Sequence, residues 1–405
     1  MDIEYINGGV CAPQGFKAAG IACGFKSKGK KDLALIVSDV MCTVAAVYTT
    51  NKVKGAPLAV TKKNISDGLA KAIICNSGNA NTCAPGGIAV AEKTCRLTGK
   101  LLGTEAENII VCSTGVIGQR LEFDRFEKGI PMATAALKGN GCADAAQAIM
   151  TTDTVSKMVA VELVLGGKKC RIGGIAKGSG MINPKMATML AFITTDAAIT
   201  SEALDKALKE DIRSSFNQIC IDGDTSTNDM AVVMANGMAS NPTIKGEGED
   251  MERFKRALSM VTVFLAKQLA RDGEGASKLI ECNVCGAPTH EVAGAIGKSV
   301  IASDLFKTAV FGSDANWGRA LCAIGYTEGD FSVDNIDVTM SSTKGQVCVC
   351  RCSQHEEYSE EAATAILGEN EIVIDINMNQ GCGQGTAWGC DLTYDYVKIN
   401  GDYRS

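Results

Sequence analysis

Apolar and polar positions change period every ten to twenty residues along this chain, so strands and helices are expected to alternate throughout. Short apolar, β-prone runs predict strands at 32–38, 42–49, 71–76 and 108–112. Helical spacing predicts helices at 87–102, 123–137 and 142–150. Met158–Leu165, the turn Gly166-Gly167-Lys168 and Lys169–Ile175 read as a hairpin. Ser201–Ser215 reads as an amphipathic helix opened by a serine cap and early acids. A strand near 229–235 and a long helix at 250–271 follow, then a break at Asp272-Gly-Glu-Gly-Ala276. The remainder predicts a strand at 278–284, helices at 289–302 and 315–324, and several strands to the end. The mixture is α/β or α+β with much antiparallel pairing, and a domain boundary is expected near residue 280.

One segment departs from this routine. Lys177-Gly-Ser-Gly-Met-Ile-Asn-Pro-Lys-Met-Ala-Thr188 is polar and glycine-rich, and the apolar run Met189–Ile193 after it predicts a buried strand. Thr188 stands at the junction. A threonine hydroxyl needs a base, and a free α-amine, with a pKa of about 7.7–8.0, is a usable one near neutral pH. Cleavage of the Ala187–Thr188 bond would create that amine on the same residue as the hydroxyl. The hydroxyl could itself attack the Ala187 carbonyl, giving an ester for water to open. Threonine is also common in strands, so a core residue with no chemistry fits the same letters.

Composition narrows the field. At 405 residues the chain can hold two or three domains with a sizeable core. Aromatics are sparse at 5% and glycines number 44, which predicts tight turns and close backbone packing. The net charge of −6, with no Lys/Arg block, argues against nucleic-acid binding. No apolar run approaches the length of a membrane span, and the first residues lack signal-peptide character, so a cytoplasmic location is expected. The 18 cysteines are then reduced and mostly buried thiols. Cys282-Asn-Val-Cys285 has metal-like spacing, but no glycine-knuckle pattern adjoins it. Cys348-Val-Cys350-Arg-Cys352 reads as one face of a strand, so no metal is expected. Neither of the two histidines, His290 and His355, neighbours a candidate nucleophile, which favours an amine base.

Further signals surround the junction. Val111-Cys-Ser-Thr114-Gly115-Val-Ile-Gly118 is a strand running into a glycine turn, whose exposed N–H groups could form an oxyanion hole; it is equally an ordinary turn. Asn76-Ser-Gly-Asn-Ala-Asn81 is an amide-rich strand end, able to donate to an anion or to make Asx turns. Asp222-Gly-Asp-Thr-Ser-Thr-Asn-Asp229 resembles a Ca²⁺ loop but has Val233 where the twelfth-position glutamate belongs, so that reading fails. Gly178-Ser-Gly180 and Gly273-Glu-Gly275 are too short to argue for phosphate binding.

Taken in order along the chain, these segments resemble the ornithine acetyltransferase (glutamate N-acetyltransferase) family of arginine biosynthesis. The matching stretches are Asn76–Asn81, Ser113–Gly118, Lys177–Ile182 with Met186–Leu190, Asp222–Asp229 and Asp272–Ala276. Lys307-Thr-Ala with Asn316-Trp-Gly-Arg319, and the tail Tyr396–Asn400 with Tyr403-Arg-Ser405, complete the set. The resemblance implies an αββα layered sandwich like that of N-terminal-nucleophile hydrolases, spanning residues 1–280. A smaller α/β domain over 281–405 would return its tail to the active site. It implies Thr188 as nucleophile, exposed by autocleavage after Ala187, with fragments 1–187 and 188–405 assembling as two copies of each. Thr114 and Gly115 fall on the family's oxyanion pair. Thr151, Lys177, Thr188, Glu274, Asn400 and Ser405 fall on its substrate-binding positions.

The implied reaction moves the acetyl group of N2-acetyl-L-ornithine to L-glutamate through acetyl-Thr188. No cofactor is implied; acetyl-CoA is a second donor in some members, and the residues do not say whether this chain uses it. The nearest rival is an amidase or aminopeptidase on the same scaffold, passing the acyl group to water. A non-catalytic binding protein and a thiol-metal protein are more distant rivals.

Overall fold

The computed structural model describes residues 3–27, 29–183 and 189–402. The expected nucleophile Thr188, its neighbour Ala187 and the expected ligand Ser405 lie outside the described residues. The chain divides into two compact units. The first comprises residues 1–178, 185–213 and 225–265; the second comprises 179–184, 214–224 and 266–405. The sequence places a single boundary near 280, whereas the main division falls at Ala266. It lies inside one long amphipathic helix, and two short excursions, 179–184 and 214–224, also join the second unit. A helix that runs through a boundary leaves no break in composition for a sequence reader to find.

The first unit is built on one hydrogen-bonded sheet. Its strands are β1 (Glu4–Ile6), β2 (Phe16–Ile21), β3 (Leu33–Tyr48), β4 (Leu69–Asn79), β5 (Ile109–Val116), β6 (Lys157–Leu165), β7 (Lys168–Lys177), β8 (Leu190–Thr195) and, after the excursion strand β9 (Ile219–Cys220), β10 (Met230–Ala235). The order is β1-β6-β7-β8-β10-β3-β4-β5, with β2 also on β3. The two strands expected at 32–38 and 42–49 are one, β3. Its first half pairs with β2 and its second with β10, on either side of the exposed stretch Asp39–Met41. The strand thereby carries the sheet round on itself into two layers. Ala34, Ile36, Ile73 and Ile110 from one layer share a core with Ile175, Leu190, Phe192, Val232 and Met234 from the other.

The outer face of the first layer, through Leu33, Leu35, Ile74 and Val111, packs on Val60, Ala91, Phe126 and Ile130. These residues lie on α1 (Ala56–Asn64), α2 (Gly87–Leu102) and α3 (Asp124–Ala135). Beyond α4 (Cys142–Ile149), which packs in the inner core, come α5 (Ser201–Ser214) and α6 (Glu249–Arg271). A Cβ at Gly174 would meet Val261 and Leu265 of α6, so this helix covers the second layer's outer face. The unit is therefore helix, sheet, sheet, helix, as expected. The β6–β7 hairpin turns through Gly166 (φ +52°) and Gly167 (φ +77°), the left-handed pair that a two-residue turn requires. The cap of α5 is Thr200, whose hydroxyl accepts from Ala203 N (3.3 Å); the expected cap, Ser201, instead donates to Gly68 O (3.0 Å).

The second unit carries a sheet ordered β14-β13-β12-β15-β11-β16-β9. Its strands are β11 (Leu279–Ala287), β12 (Asp337–Ser342), β13 (Gly345–Arg351), β14 (Gln354–His355), β15 (Glu371–Asn377) and β16 (Gly383–Cys390). Alternate residues Ile280, Cys282, Val284, Ile372, Ile374 and Ile376 face α7 (His290–Ala302), α8 (Asp304–Phe311), α9 (Trp317–Gly325) and α10 (Glu360–Leu367). The opposite face is polar, with Asn283 bonded to Asp375 (3.0 Å). That is the period-two signature of a sheet covered on one side. Helix α11 (Tyr394–Gly401) closes the described chain. Among the described residues no helix is long and apolar enough to cross a membrane.

Candidate functional site

β4 and β5 run parallel, and each carries a glycine one residue before its end, Gly78 opposite Gly115. Gly115 has φ +129°, and a Cβ there would lie 2.4 Å from the Gly78 carbonyl carbon. Only glycine satisfies both constraints. The turn is pinned from three directions. Ser113 Oγ donates to Asn76 Oδ1 (2.6 Å), Asn76 Nδ2 donates to Asn79 O (2.9 Å), and Asn228 Nδ2 donates to both Ala80 O (2.5 Å) and Ser113 O (2.9 Å). Asn81 N donates to Asn79 Oδ1 (2.8 Å), an Asx turn. The amides of the Asn76–Asn81 segment thus hold backbone, the structural of the two roles their sequence allowed.

Lys177, the last residue of β7, reaches this turn. Its ammonium, with the residue 9% exposed, donates to Thr114 Oγ1 (3.0 Å) and to Thr151 Oγ1 (3.3 Å). Three expected site residues therefore meet in the first unit, with Gly115 beside them. Beneath them lies a carboxylate that sequence reasoning missed. Asp153 accepts from Lys157 Nζ (2.7 Å), Gly178 N (2.7 Å) and Thr151 N (2.9 Å), so one side chain ties the Thr151 loop to the end of β7. Lys157 and Asp153 are a fully buried ion pair. Burial alone would raise the Asp153 pKa, but the charges of Lys157 and Lys177 and the hydrogen bonds to it bring it below the usual value. Lysine at the first position of a core strand was the available signal. Lys26 was also missed: it is half-buried and donates to Met150 O (3.0 Å), and burial lowers its pKa against the pull of Asp32.

In the second unit, Glu274 occupies the turn after α6. It is 9% exposed, and its backbone N donates to Ser179 O (2.8 Å). Its carboxylate accepts from Asn400 Nδ2 (2.7 Å) and lies so close to Gly180 that a Cβ there would come within 2.4 Å of Oε2. The tail helix α11 carries Asn400. It is capped by Thr393, whose hydroxyl accepts from Asp395 N (3.2 Å) and donates to Gly275 O (2.6 Å). Asp222 accepts from Met181 N (2.5 Å) and Ile182 N (2.8 Å), so the first acid of the supposed Ca²⁺ loop serves to order this segment. Glu274 and Asn400 are thus brought together, as are Thr114, Thr151 and Lys177.

The remaining candidates have ordinary partners. His290 contacts the Gln384 backbone (2.9 Å), and His355 stacks on Trp317. Cys282 is buried while Cys285 is exposed. Cys352 lies past the end of β13 at φ +48°, so it does not share a strand face with Cys348 and Cys350 as expected. Among the described residues, no three potential metal ligands gather.

Comparison with known proteins decides the family. The ArgJ family model matches residues 17–405. The chain belongs to the ArgJ family. It is 47% identical over 404 residues to the arginine biosynthesis bifunctional protein ArgJ of Caldanaerobacter subterraneus subsp. tengcongensis, covering both chains completely. It is 49% identical over 406 residues to that of Symbiobacterium thermophilum, again end to end. Among solved structures, an ornithine acetyltransferase of Mycobacterium tuberculosis complexed with ornithine is 38% identical, with a TM-score of 0.43, over 46% of this chain and 100% of its own. The resemblance drawn from the sequence is thereby upheld. This ArgJ family member is an acetyltransferase of arginine biosynthesis, and the hydrolytic rival falls away.

Proposed function

We propose that Thr188 is the nucleophile of a ping-pong acetyl transfer, freed by cleavage of the Ala187–Thr188 bond, and that fragments 1–187 and 188–405 assemble as two copies of each. One observation carries this reading. Lys177 is paired with Leu190 across β7 and β8, so the Lys177–Thr114–Thr151 cluster lies beside the entry to the strand that Thr188 precedes by two residues. The hydrogen-bond directions support the oxyanion assignment. An ammonium can only donate, so Thr114 Oγ1 accepts from Lys177 and its own hydrogen is left to donate elsewhere. With the N–H of Gly115, that makes two donors for one developing charge.

Thr188 Oγ attacks the acetyl carbonyl of N2-acetyl-L-ornithine, and its α-amine takes the hydroxyl proton. The Thr114/Gly115 pair holds the oxyanion. The C–N bond breaks, the proton passes to the departing amine, and ornithine leaves acetyl-Thr188. The amine of glutamate then attacks the ester, giving N-acetyl-L-glutamate and free Thr188. Lys177 and Thr151 suit a substrate carboxylate. Glu274, held by Asn400, suits the ornithine ammonium, and Ser405 joins them as a polar tail ligand. Acetyl-CoA serves as the second donor. Intact mass should show the two fragments, and labelled acetylornithine should leave its acetyl group on Thr188. Thr188→Ala should abolish cleavage and reduce turnover at least about 10⁴-fold. A single uncleaved chain with full activity would overturn the mechanism.

A further inference from the structure

Two of the 18 cysteines form a pair that acetyl transfer leaves unused. The Cys11 and Cys142 thiols are hydrogen-bonded to one another. Cys142 is the first residue of α4, and the N-cap of that helix, Gly141, has no side chain to cap it. The sulfurs stand where a capping group would. The backbone N–H groups of Ala143, Cys142 and Cys11 point at the Cys142 sulfur, and those of Gly141 and Cys142 at the Cys11 sulfur. Lys138 O also lies 4.0 Å from Cys11 Sγ. Cys142 is buried and Cys11 half-buried.

Firm backbone holds both sulfurs. A Cβ at Gly141 would collide with the Ala18 carbonyl oxygen, and one at Gly20 with that of Asp144, so glycines let β2 and the start of α4 approach this closely. On the Cys11 side, Val10 O accepts from Thr194 Oγ1 (2.8 Å), Gln14 N donates to Asp196 Oδ2 (2.9 Å), and Ala12 N closes a turn on Gly9 O (2.9 Å). Asp144, the acid in the first turn of α4, is paired with Lys31 and Lys138, which leaves the positive end of the helix to the sulfurs. The hydrogen bond from Cys11, with the surrounding N–H groups, brings the Cys142 pKa down to about 6 against the effect of burial. The same hydrogen bond and burial push Cys11 well above its usual value. The pair therefore carries one proton, on Cys11, and one thiolate, at Cys142. Burial has the opposite effect on Cys75, Cys112 and Cys282, whose pKa values it raises.

We propose that Cys11 and Cys142 are a site of reversible oxidation, closed to a disulfide by a hydroperoxide. The Cys142 thiolate attacks one peroxide oxygen, the O–O bond breaks, and hydroxide leaves, so that Cys142 becomes a sulfenic acid. The Cys11 sulfur then attacks the Cys142 sulfur. Its proton departs with the sulfenic hydroxyl as water, and the S–S bond forms. The two thiols have given two electrons to the O–O bond, and the hydroxide takes a proton from solvent. Cys142 is 8% exposed, which suits a small oxidant. A dithiol reverses the step, as expected of redox-sensing disulfides in a reducing compartment. The cross-link would anchor the start of α4, the helix that leads through Met150 to Thr151 and whose Ala148 O accepts from Ser77 Oγ (2.5 Å). Because the sulfurs are already in contact, closure moves little backbone and the enzyme keeps its turnover. Both cysteines precede residue 187, so the inference stands whether or not the chain is cleaved.

The test treats the full-length enzyme with a few molar equivalents of hydrogen peroxide, blocks the remaining thiols by alkylation and maps the peptides by mass. Cys11 and Cys142 should be found joined, with the loss of two hydrogens, and dithiothreitol should restore both. The oxidised enzyme should melt several degrees higher, because a long loop has been closed, while kcat changes by less than about twofold. Cys11→Ser should stop at the sulfenic acid, so that dimedone labels Cys142. Cys142→Ser should leave Cys11 at least about tenfold slower to oxidise than in wild type. The wild-type peptide map decides the linkage even if neither variant folds. Peroxide that oxidises the exposed Cys285 and Cys322 while Cys11 and Cys142 remain separately alkylated would overturn the proposal. So would a C142S chain in which Cys11 is oxidised as fast as before.

Discussion

Lys177 and Glu274 are equally buried charges, each bonded to small polar side chains, yet they are held in different ways. Lys177 ends a strand paired on both sides, and its partner Thr114 lies in a turn fixed by three asparagine or serine side chains and by a glycine contact that admits no substitute. Glu274 sits in a turn whose clasp is α11, an eight-residue helix with no buried residue. A helix that short has little stability of its own and depends on its cap and its contacts. The first arrangement suits a group that must meet a developing charge at a fixed point. The second suits a group that recognises one substrate and must release it.

Breaking the rigid set should cost most. Asp153→Asn leaves Lys157 fully buried without its counter-charge, and about 3–5 kcal/mol of stability should be lost. The pH dependence follows from the lowered Asp153 pKa. Its contribution is complete above the unfolded value near pH 4 and is lost as pH falls through the folded value. Acid denaturation below pH 4 should therefore be shallower in D153N than in wild type. An unchanged melting temperature at pH 7 would show the pair to be dispensable.

Next comes the turn itself. Gly115→Ala must move the Gly78 backbone or itself, and the N–H it presents goes with it. Loss of one oxyanion donor typically reduces kcat by about 10²–10³-fold. Steady-state kinetics should show that loss in kcat rather than KM, with the melting temperature as a control for folding.

These two cases mark what the sequence made legible and what it did not. The Thr114-Gly115 turn was visible because a strand ending in glycine has a local signature. Asp153 and Asn228 were not, because their work is done on partners far along the chain: Asn228 holds Ser113 across 115 positions, and Asp153 holds Gly178 across 25. The β6–β7 hairpin followed from two apolar runs and the Gly166-Gly167 turn between them. Helix α11 did not, since a helix with no buried face leaves no apolar stripe to read. Strand β3 was split in the reading because its bend places exposed residues in mid-strand.

In the clasped region the effects should be smaller and should fall on binding. Glu274→Gln keeps the hydrogen-bonding shape but removes the charge. KM for acetylornithine should rise about tenfold, which corresponds to about 1.4 kcal/mol, while kcat changes little. Glutamate carries no side-chain ammonium, so its KM should hardly move. Equal effects on both substrates would assign Glu274 a general structural role.

The smallest expected change separates the clasp from the charge it holds. Thr393 both caps α11 and bonds the Gly275 carbonyl, at the residue following Glu274. Thr393→Ala loses both bonds, at a cost typical of a cap, about 1 kcal/mol. Because α11 buries none of its residues, most of that cost should appear as fraying of the helix rather than as a lower melting temperature. Hydrogen exchange along 394–401 should rise while the strands of the first unit keep their protection. KM for acetylornithine should then increase two- to three-fold (roughly 0.5 kcal/mol), less than in E274Q, because the carboxylate remains and only the partner that aims it is loosened. A KM as poor as that of E274Q would mean that Asn400, rather than the charge of Glu274, supplies the recognition, and the contrast with the rigid Lys177 set would have to be redrawn around that amide.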